Sequence, residues 1–302
     1  MHKMLHLTLY SFLILTLAAC SDPYRTERFY SMGTFVSVTL TEKNFDKTQD
    51  IRAKMQELEN TIKSATETAN KTQNFNFSGV MQELNIRGSE FSDITDGRFN
   101  IFAHTISILY GFPEGPFRVP DDNELDQALD NIDKKQNVMV DMGAYAKGYI
   151  VDKAVSRLKA ENINSALINA GGDLYAMGSK GARKWRVAIK HPETSEEMLS
   201  IVNLRNKALA TSGDYERFFQ ADDGTMIFHI FDATTGKNPL FYSSVSVIAD
   251  DTVTADGLAT VFFLLPPEDI KIQCSRLKTP VLLFTKDKEK IKLCGWEKFE
   301  NN

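Results

Sequence analysis

An α+β fold with mixed sheets and flanking helices is predicted by three features of the 302-residue chain. Amphipathic runs recur at helical spacing, apolar or alternating runs of strand length lie between them, and small-residue turns join the two kinds of segment. No fixed-period repeat or low-complexity tract interrupts the pattern. With 42% hydrophobic and 25% charged residues, 17 Gly and 9 Pro, the chain is not collagen-like, disordered or a polytopic membrane protein. The balance of 35 Lys+Arg against 40 Asp+Glu gives a net charge of −5, which excludes nucleic acid as an expected partner.

The first residues stand apart from the fold. His2-Lys3 precedes an apolar run from Leu7 to Leu17, shorter than the roughly 20 residues of a spanning helix, and Ala18-Ala19-Cys20 follows. This reads as a signal peptide over 1–19 ending in a lipobox. Cys20 then becomes the lipidated first residue of a domain over 20–302, anchored outside the cytoplasm. Cys274 and Cys294 remain in an oxidising compartment, either bridged or as two buried thiols, and both lie in strand-like surroundings.

The elements follow in order. Arg25 to Leu40 alternates like a half-buried strand in its second half, with Met32-Gly33-Thr34 at the strand's entry. Ile51, Met55, Leu58 and Ile62 predict an amphipathic helix over 46–63, and the polar residues 64–79 predict a loop. Thr95-Asp96-Gly97 is turn chemistry before a helix on Ile101, Thr105, Ile108 and Leu109, and residues 111–120, with three prolines, form a surface connection. Val138-Met139-Val140 predicts a short strand, followed by a small-residue turn over 141–148 and a helix to about Ala160. Strands are predicted at 165–169, 185–189, 228–231 and 245–248. A last helix on Leu258, Val261, Phe262 and Leu265 stops at Pro266-Pro267, and the elements are expected to form two lobes around a cleft.

Three glycine- and alanine-rich turns, at 141–148, 170–173 and 254–260, place small residues where backbone can approach a ligand, beside helix starts that favour an anion such as phosphate. Lys147 adds a point charge. Asp256 and Thr260, four apart, point their oxygens the same way and can hold a hard cation such as Mg²⁺; by spacing alone, a helix cap is the commoner role of such an Asp. His229 is a core histidine or an acid/base group, and Asp232 is an Asx-turn residue or its partner.

Taken in order, Ser31-Met32-Gly33-Thr34, Thr95-Asp96-Gly97, Asp141 to Tyr149, Ala166 to Asp173, Thr211 to Tyr215, His229 to Asp232 with Thr235-Gly236, and Thr254 to Thr260 form seven blocks. In these blocks the chain resembles the ApbE-type FAD:protein FMN transferases, periplasmic flavin transferase lipoproteins, from about Arg28 to Leu265. The resemblance implies a T-fold-like architecture with a central FAD cleft, and a reaction that cleaves FAD and places FMN on a Thr or Ser of a target flavoprotein with release of AMP. It assigns the metal to the Ala146 carbonyl oxygen and the side chains of Asp256 and Thr260. It assigns FAD to Met32, Asp96, Phe99, Asn100, Gly143, Lys147, Tyr149 and Phe228, and proton transfer to His229, with Asp256 essential to catalysis through the metal. Acceptors would be subunits of membrane redox complexes on the periplasmic side.

The chain departs from the family where Lys63 to Glu67 replaces an aromatic and serine-rich adenine stretch, and at Asn100, Ala144 and Ala233. Two rival readings share these residues: a Mg²⁺-dependent FAD pyrophosphatase yielding FMN and AMP, and a non-catalytic FAD-binding lipoprotein.

Overall fold

The computed structural model describes residues 23–194 and 196–300, so Cys20 and the segment 1–19 lie outside the described residues. An antiparallel hairpin of β1 (Tyr24–Ser31) and β2 (Thr34–Thr41) comes first, turned by Met32 and Gly33 at φ of 55° and 68°. Two successive positive φ values suit the right-handed twist of the hairpin, and glycine at the second carries no Cβ penalty.

Two helices follow, α1 (Thr48–Thr72) and α2 (Gly79–Ile94). The predicted loop over 64–79 is therefore mostly helix. Its polar composition hid this, because the last turns of α1 present amides to a neighbour: Asn70 Nδ2 donates to the Val140 carbonyl at 3.0 Å and Gln73 Nε2 to that of Val138 at 2.9 Å. Their Oδ1 and Oε1 atoms accept from the Val140 and Val138 N–H groups at 2.7 and 3.1 Å. Residues 138–140 are thus not the strand predicted for them. Two side chains and the Thr105 hydroxyl, which accepts from Met139 N at 2.8 Å, supply the hydrogen bonds a strand partner would give.

Helices α3 (His104–Leu109), α4 (Asp122–Lys134) and α5 (Gly143–Ala160) lead into the strands β3 (Ala166–Ala170), β4 (Asp173–Met177), β5 (Trp185–Lys190), β6 (Met198–Leu204), β7 (Lys207–Gly213), β8 (Phe218–Gln220), β9 (Met226–Phe228) and β10 (Tyr242–Ala249). The chain continues through α6 (Thr252–Leu264), α7 (Pro267–Leu277), β11 (Val281–Thr285), β12 (Lys290–Leu293) and α8 (Glu297–Glu300). The strand predicted over 228–231 ends at Phe228; beyond it, Asn238 Nδ2 holds the carbonyls of Phe228 and Ile230, each at 2.7 Å. The predicted strand around Cys274 is helix instead, because the proline pair that stops α6 also starts α7 with Pro267 at its first position. Cys274 on α7 is disulfide-bonded to Cys294 just after β12, with 6.1 Å between their Cα atoms.

One eight-stranded sheet, ordered β1-β2-β3-β4-β7-β10-β11-β12 and antiparallel at every ladder, stands where two lobes were expected and carries the helices of the α+β fold. Its central strands are buried on both faces. Tyr175, Ala210, Val245 and Leu283 face the helices, whereas Leu174, Leu209, Ile248 and Leu282 face a second core closed by the β5–β6 hairpin and Trp296. Helix α6 is buried almost all round between α5, α2, β7 and β10, which explains its run of apolar residues.

Candidate functional site

The helical face of the sheet carries a cleft of about 440 Å³ between α1, the first turns of α5, α6, the end of β7 and the segments around residues 99–104 and 229–231. Its floor is built at the crossing of α5 and α6. Gly148 has no room for a side chain: a Cβ there would lie 2.4 Å from the Thr252 carbonyl oxygen and 2.8 Å from Val253 Cα. This closeness lets Gly148 N–H donate to Asp256 Oδ2 at 2.9 Å. The small residue therefore serves helix packing, not close approach to a ligand as the turn chemistry suggested.

Asp256 is not the cap of its helix. Helix α6 starts at Thr252, where Asp251 Oδ1 accepts from Thr254 N at 2.8 Å, and Asp152 accepts from Thr252 N and Val253 N at 2.8 Å each. With these N–H groups taken, the start of α6 offers no anion site. Asp256, one turn further in, is only 4% exposed and lines the cleft, with the Thr260 hydroxyl a turn beyond and 3.1 Å from Ser212 Oγ. Lys147 Nζ lies 2.6 Å from Asp173 Oδ2 and 3.4 Å from Asp256 Oδ1. The Lys147 ammonium is thus held by carboxylates, a different task from the direct contact with phosphate that its position in the turn suggested.

Two carboxylates sharing one ammonium leave an excess negative charge in a poorly solvated place. Burial pushes Asp256 upward, the Asp173 charge adds to the push, and Lys147 and the Gly148 N–H oppose it. Burial likewise raises Asp173 against the pull of Lys147. For Lys147 burial disfavours the ammonium, but Asp173 and Asp256 outweigh it and hold the group above the usual lysine range. A hard cation would relieve the excess. Oxygen donors from the Ala146 carbonyl, Asp256 and Thr260, all on the cleft wall, suit Mg²⁺, which takes few protein ligands, and no cluster of three His, Cys, Asp or Glu forms a complete cage among the described residues.

His229 also lines the cleft. Its backbone N–H donates to the Arg217 carbonyl at 3.1 Å, and its ring Nδ1 is buried with no hydrogen-bond partner among the described residues. Burial first, then the Arg217 charge, pushes the imidazole down to about 4, so it is neutral at pH 7 and able to accept a proton. Asp232 is an Asx-turn residue: its Oδ1 accepts from Thr234 N at 2.8 Å and its Oδ2 from Arg98 Nη1 at 2.7 Å.

Met32, Phe99, Asn100, Gly143, Ala146, Lys147, His229, Asp256 and Thr260 all lie on the cleft wall. Asp96, Tyr149 and Phe228 do not. Asp96, at φ 50°, forms the turn that lets Thr95 Oγ1 accept from Phe99 N at 2.9 Å. The Tyr149 hydroxyl donates to Glu83 at 2.8 Å, and Phe228 is fully buried, edge-on to Phe263 at 5.8 Å. Asp173 and Ser212, quoted in the motif blocks without a role, join the floor, while Glu216 and Arg217 gave no signal in sequence. Lys63, Thr66 and Glu67, in the stretch that departs from the family, form the α1 wall.

The ApbE family profile matches residues 32–283. The chain is similar to proteins named FAD:protein FMN transferase: 32% identical over 206 residues to that of Treponema pallidum, covering 58% of this chain and 57% of the relative, and 27% identical over 297 residues to that of Escherichia coli K12, covering 87% and 84%. The alignments span 25% and 63% of two further relatives of that name, from Rhodobacter capsulatus and Vibrio cholerae. Among solved structures, the ApbE protein of Thermotoga maritima superposes with a TM-score of 0.82 at 25% identity, covering 92% of this chain and all of that one. A profile match through most of the chain, over the same elements that build the cleft, shows that this chain belongs to the ApbE family.

Proposed function

We propose that the chain is a Mg²⁺-dependent flavin transferase that cleaves FAD, attaches the FMN moiety through a phosphoester to a Thr or Ser hydroxyl of an acceptor flavoprotein, and releases AMP. The observation that carries this reading is the Lys147–Asp173–Asp256 cluster, with the Thr260 and Ser212 hydroxyls beside it, on the floor of the cleft in a chain of this family. Mg²⁺, held by Asp256, Thr260 and the Ala146 carbonyl, would neutralise charge on the pyrophosphate as it is cleaved. Lys147 holds the two carboxylates in place and fixes the orientation of Asp256.

In the transfer, the acceptor oxygen forms a bond to the FMN phosphorus while the bond from that phosphorus to the oxygen bridging to AMP breaks, and AMP leaves as the phosphate monoester. The hydroxyl proton passes to the neutral imidazole of His229, a residue of the cleft wall. Met32, Phe99, Asn100 and Gly143, on the walls around this point, are our assignment for flavin and phosphate contacts. A lipid on Cys20 would hold the domain at the periplasmic side of a membrane, beside acceptor subunits of membrane redox complexes.

The test is incubation with FAD, Mg²⁺ and a candidate acceptor domain, reading the acceptor's mass and the released nucleotides. An FMN-sized gain with stoichiometric AMP, lost on chelation, is expected. FMN and AMP beside an unmodified acceptor would favour FAD hydrolysis, and intact FAD would favour a binding protein.

A further inference from the structure

The chain is acidic overall, yet its charge is unevenly spread. Residues 174–192 contain Lys180, Arg183, Lys184, Arg186 and Lys190 and not one Asp or Glu. Four of these cations, Lys180, Arg183, Lys184 and Arg186, line a second concavity of about 910 Å³ with Thr39 and Leu167 of β2 and β3. Leu167 packs against the second core, so this concavity and the FAD cleft lie on opposite faces of the eight-stranded sheet.

The patch is rigidly presented. Lys180 N donates to the Arg183 carbonyl at 2.8 Å and Arg183 N to that of Lys180 at 3.2 Å, closing a tight turn around Gly181, and Trp185 buries its ring beneath. Arg183, Lys184 and Arg186 are exposed and make no ion pair with any described residue. Glu300, the acid on this wall, is engaged with Lys292 at 2.5 Å and with the Ser200 hydroxyl at 2.6 Å. Repulsion among fixed cations is therefore left for an anionic partner to offset.

The start of the fold is fastened to the same patch. The Tyr24 hydroxyl contacts Ser165 Oγ at 2.8 Å, donates to the Ser179 carbonyl at 3.1 Å and accepts from Gly181 N at 3.0 Å, while the Tyr24 ring meets Trp185 edge-on. Cys20 is only three residues before Pro23, a covalent reach of about 10 Å at most.

We propose that this face, centred on Arg183, Lys184 and Arg186, seats against the headgroups of an anionic phospholipid bilayer. The FAD cleft then sits on the face turned from the membrane. The orientation rests on the Cys20 anchor proposed above; the headgroup affinity does not.

The test uses residues 21–302, which retain every described residue and both cores, in co-sedimentation with two kinds of vesicle: phosphatidylcholine alone, and phosphatidylcholine with about one third phosphatidylglycerol. Binding to the anionic vesicles alone, weakening as salt rises, is expected. The R183A/K184A/R186A variant is expected to lose on the order of 10- to 100-fold in partitioning, with unfolding temperature and FAD turnover unchanged. K184E alone provides a second, milder variant with a loss of the same direction. Equal binding to both vesicles, binding to neither, binding indifferent to the substitutions, or release by millimolar inorganic phosphate at constant ionic strength would each overturn the proposal. The anchor is read separately from the mass of the Cys20 peptide of membrane-extracted full chain: an unmodified Cys20 sinks the anchor and leaves the headgroup result standing.

Discussion

His229 and Asp256 show how burial shifts the proton affinity of ordinary side chains. Because His229 is pushed from its ordinary 6.5 down to about 4, the folded state prefers the neutral ring. Its contribution to stability is fully present above 6.5 and is lost as pH falls toward 4, over which range only the unfolded chain takes up the proton. That loss amounts to about 3 kcal/mol at most, and urea titrations between pH 7 and 4 should show a shallower decline in H229Q than in the wild type. The same variant should bind FAD normally while transfer slows roughly 100-fold or more, seen as a fall in kcat with KM unchanged. For the carboxylate cluster, D256N should reduce AMP release by roughly a thousandfold with the unfolding temperature unchanged or raised, since it removes the excess buried charge. K147M should do the reverse to stability, costing about 3–5 kcal/mol in chemical denaturation, because Asp173 and Asp256 then lose their shared cation.

At the scale of elements, the site depends on two helices meeting closely. Replacing Gly148 by Ala puts a Cβ into the Thr252 backbone, so α5 and α6 must separate and the Gly148–Asp256 hydrogen bond must lengthen. A loss of about 1–3 kcal/mol in stability is expected. Activity should fall further than that stability loss explains, measured where the variant is fully folded. The first turns of amphipathic α1, the strands β2, β5 and β10 and the body of α5 are readable in the sequence because their period depends on near neighbours alone. Residues 138–140 read as a strand because an apolar triplet looks the same whether its hydrogen bonds come from a strand or from Asn70, Gln73 and Thr105. The end of α1 was misread for the matching reason, since the residues that supply those bonds are polar. Around Cys274 the apolar Ile270 and Ile272 alternate like a strand, and the helix start at Pro267 was the signal that outranks them.

Across the whole molecule, the sheet divides two cores, and the disulfide fastens α7 to the end of the outer strand β12. The bridge closes a loop of 20 residues, for which chain entropy gives about 3 kcal/mol. Reduction, or the C274S/C294S double variant, should lower the unfolding temperature by several degrees while leaving FAD turnover at room temperature unchanged, because neither cysteine approaches the cleft. By itself the sequence determined the α+β class, most of the elements, the family and the choice of Asp256, Thr260 and His229 as candidate residues of one cleft, since these reside in short-range pattern and in ordered motifs. Only the tertiary structure decided that Asp173 joins Asp256 on Lys147, that Glu216 and Arg217 reach the cleft, and that Asp96, Tyr149 and Phe228 do not. The reason is physical: Lys147 and Asp256 stand 109 residues apart, and their charges acquire their chemistry from the low-dielectric packing of α5 on α6, which no local window of sequence contains.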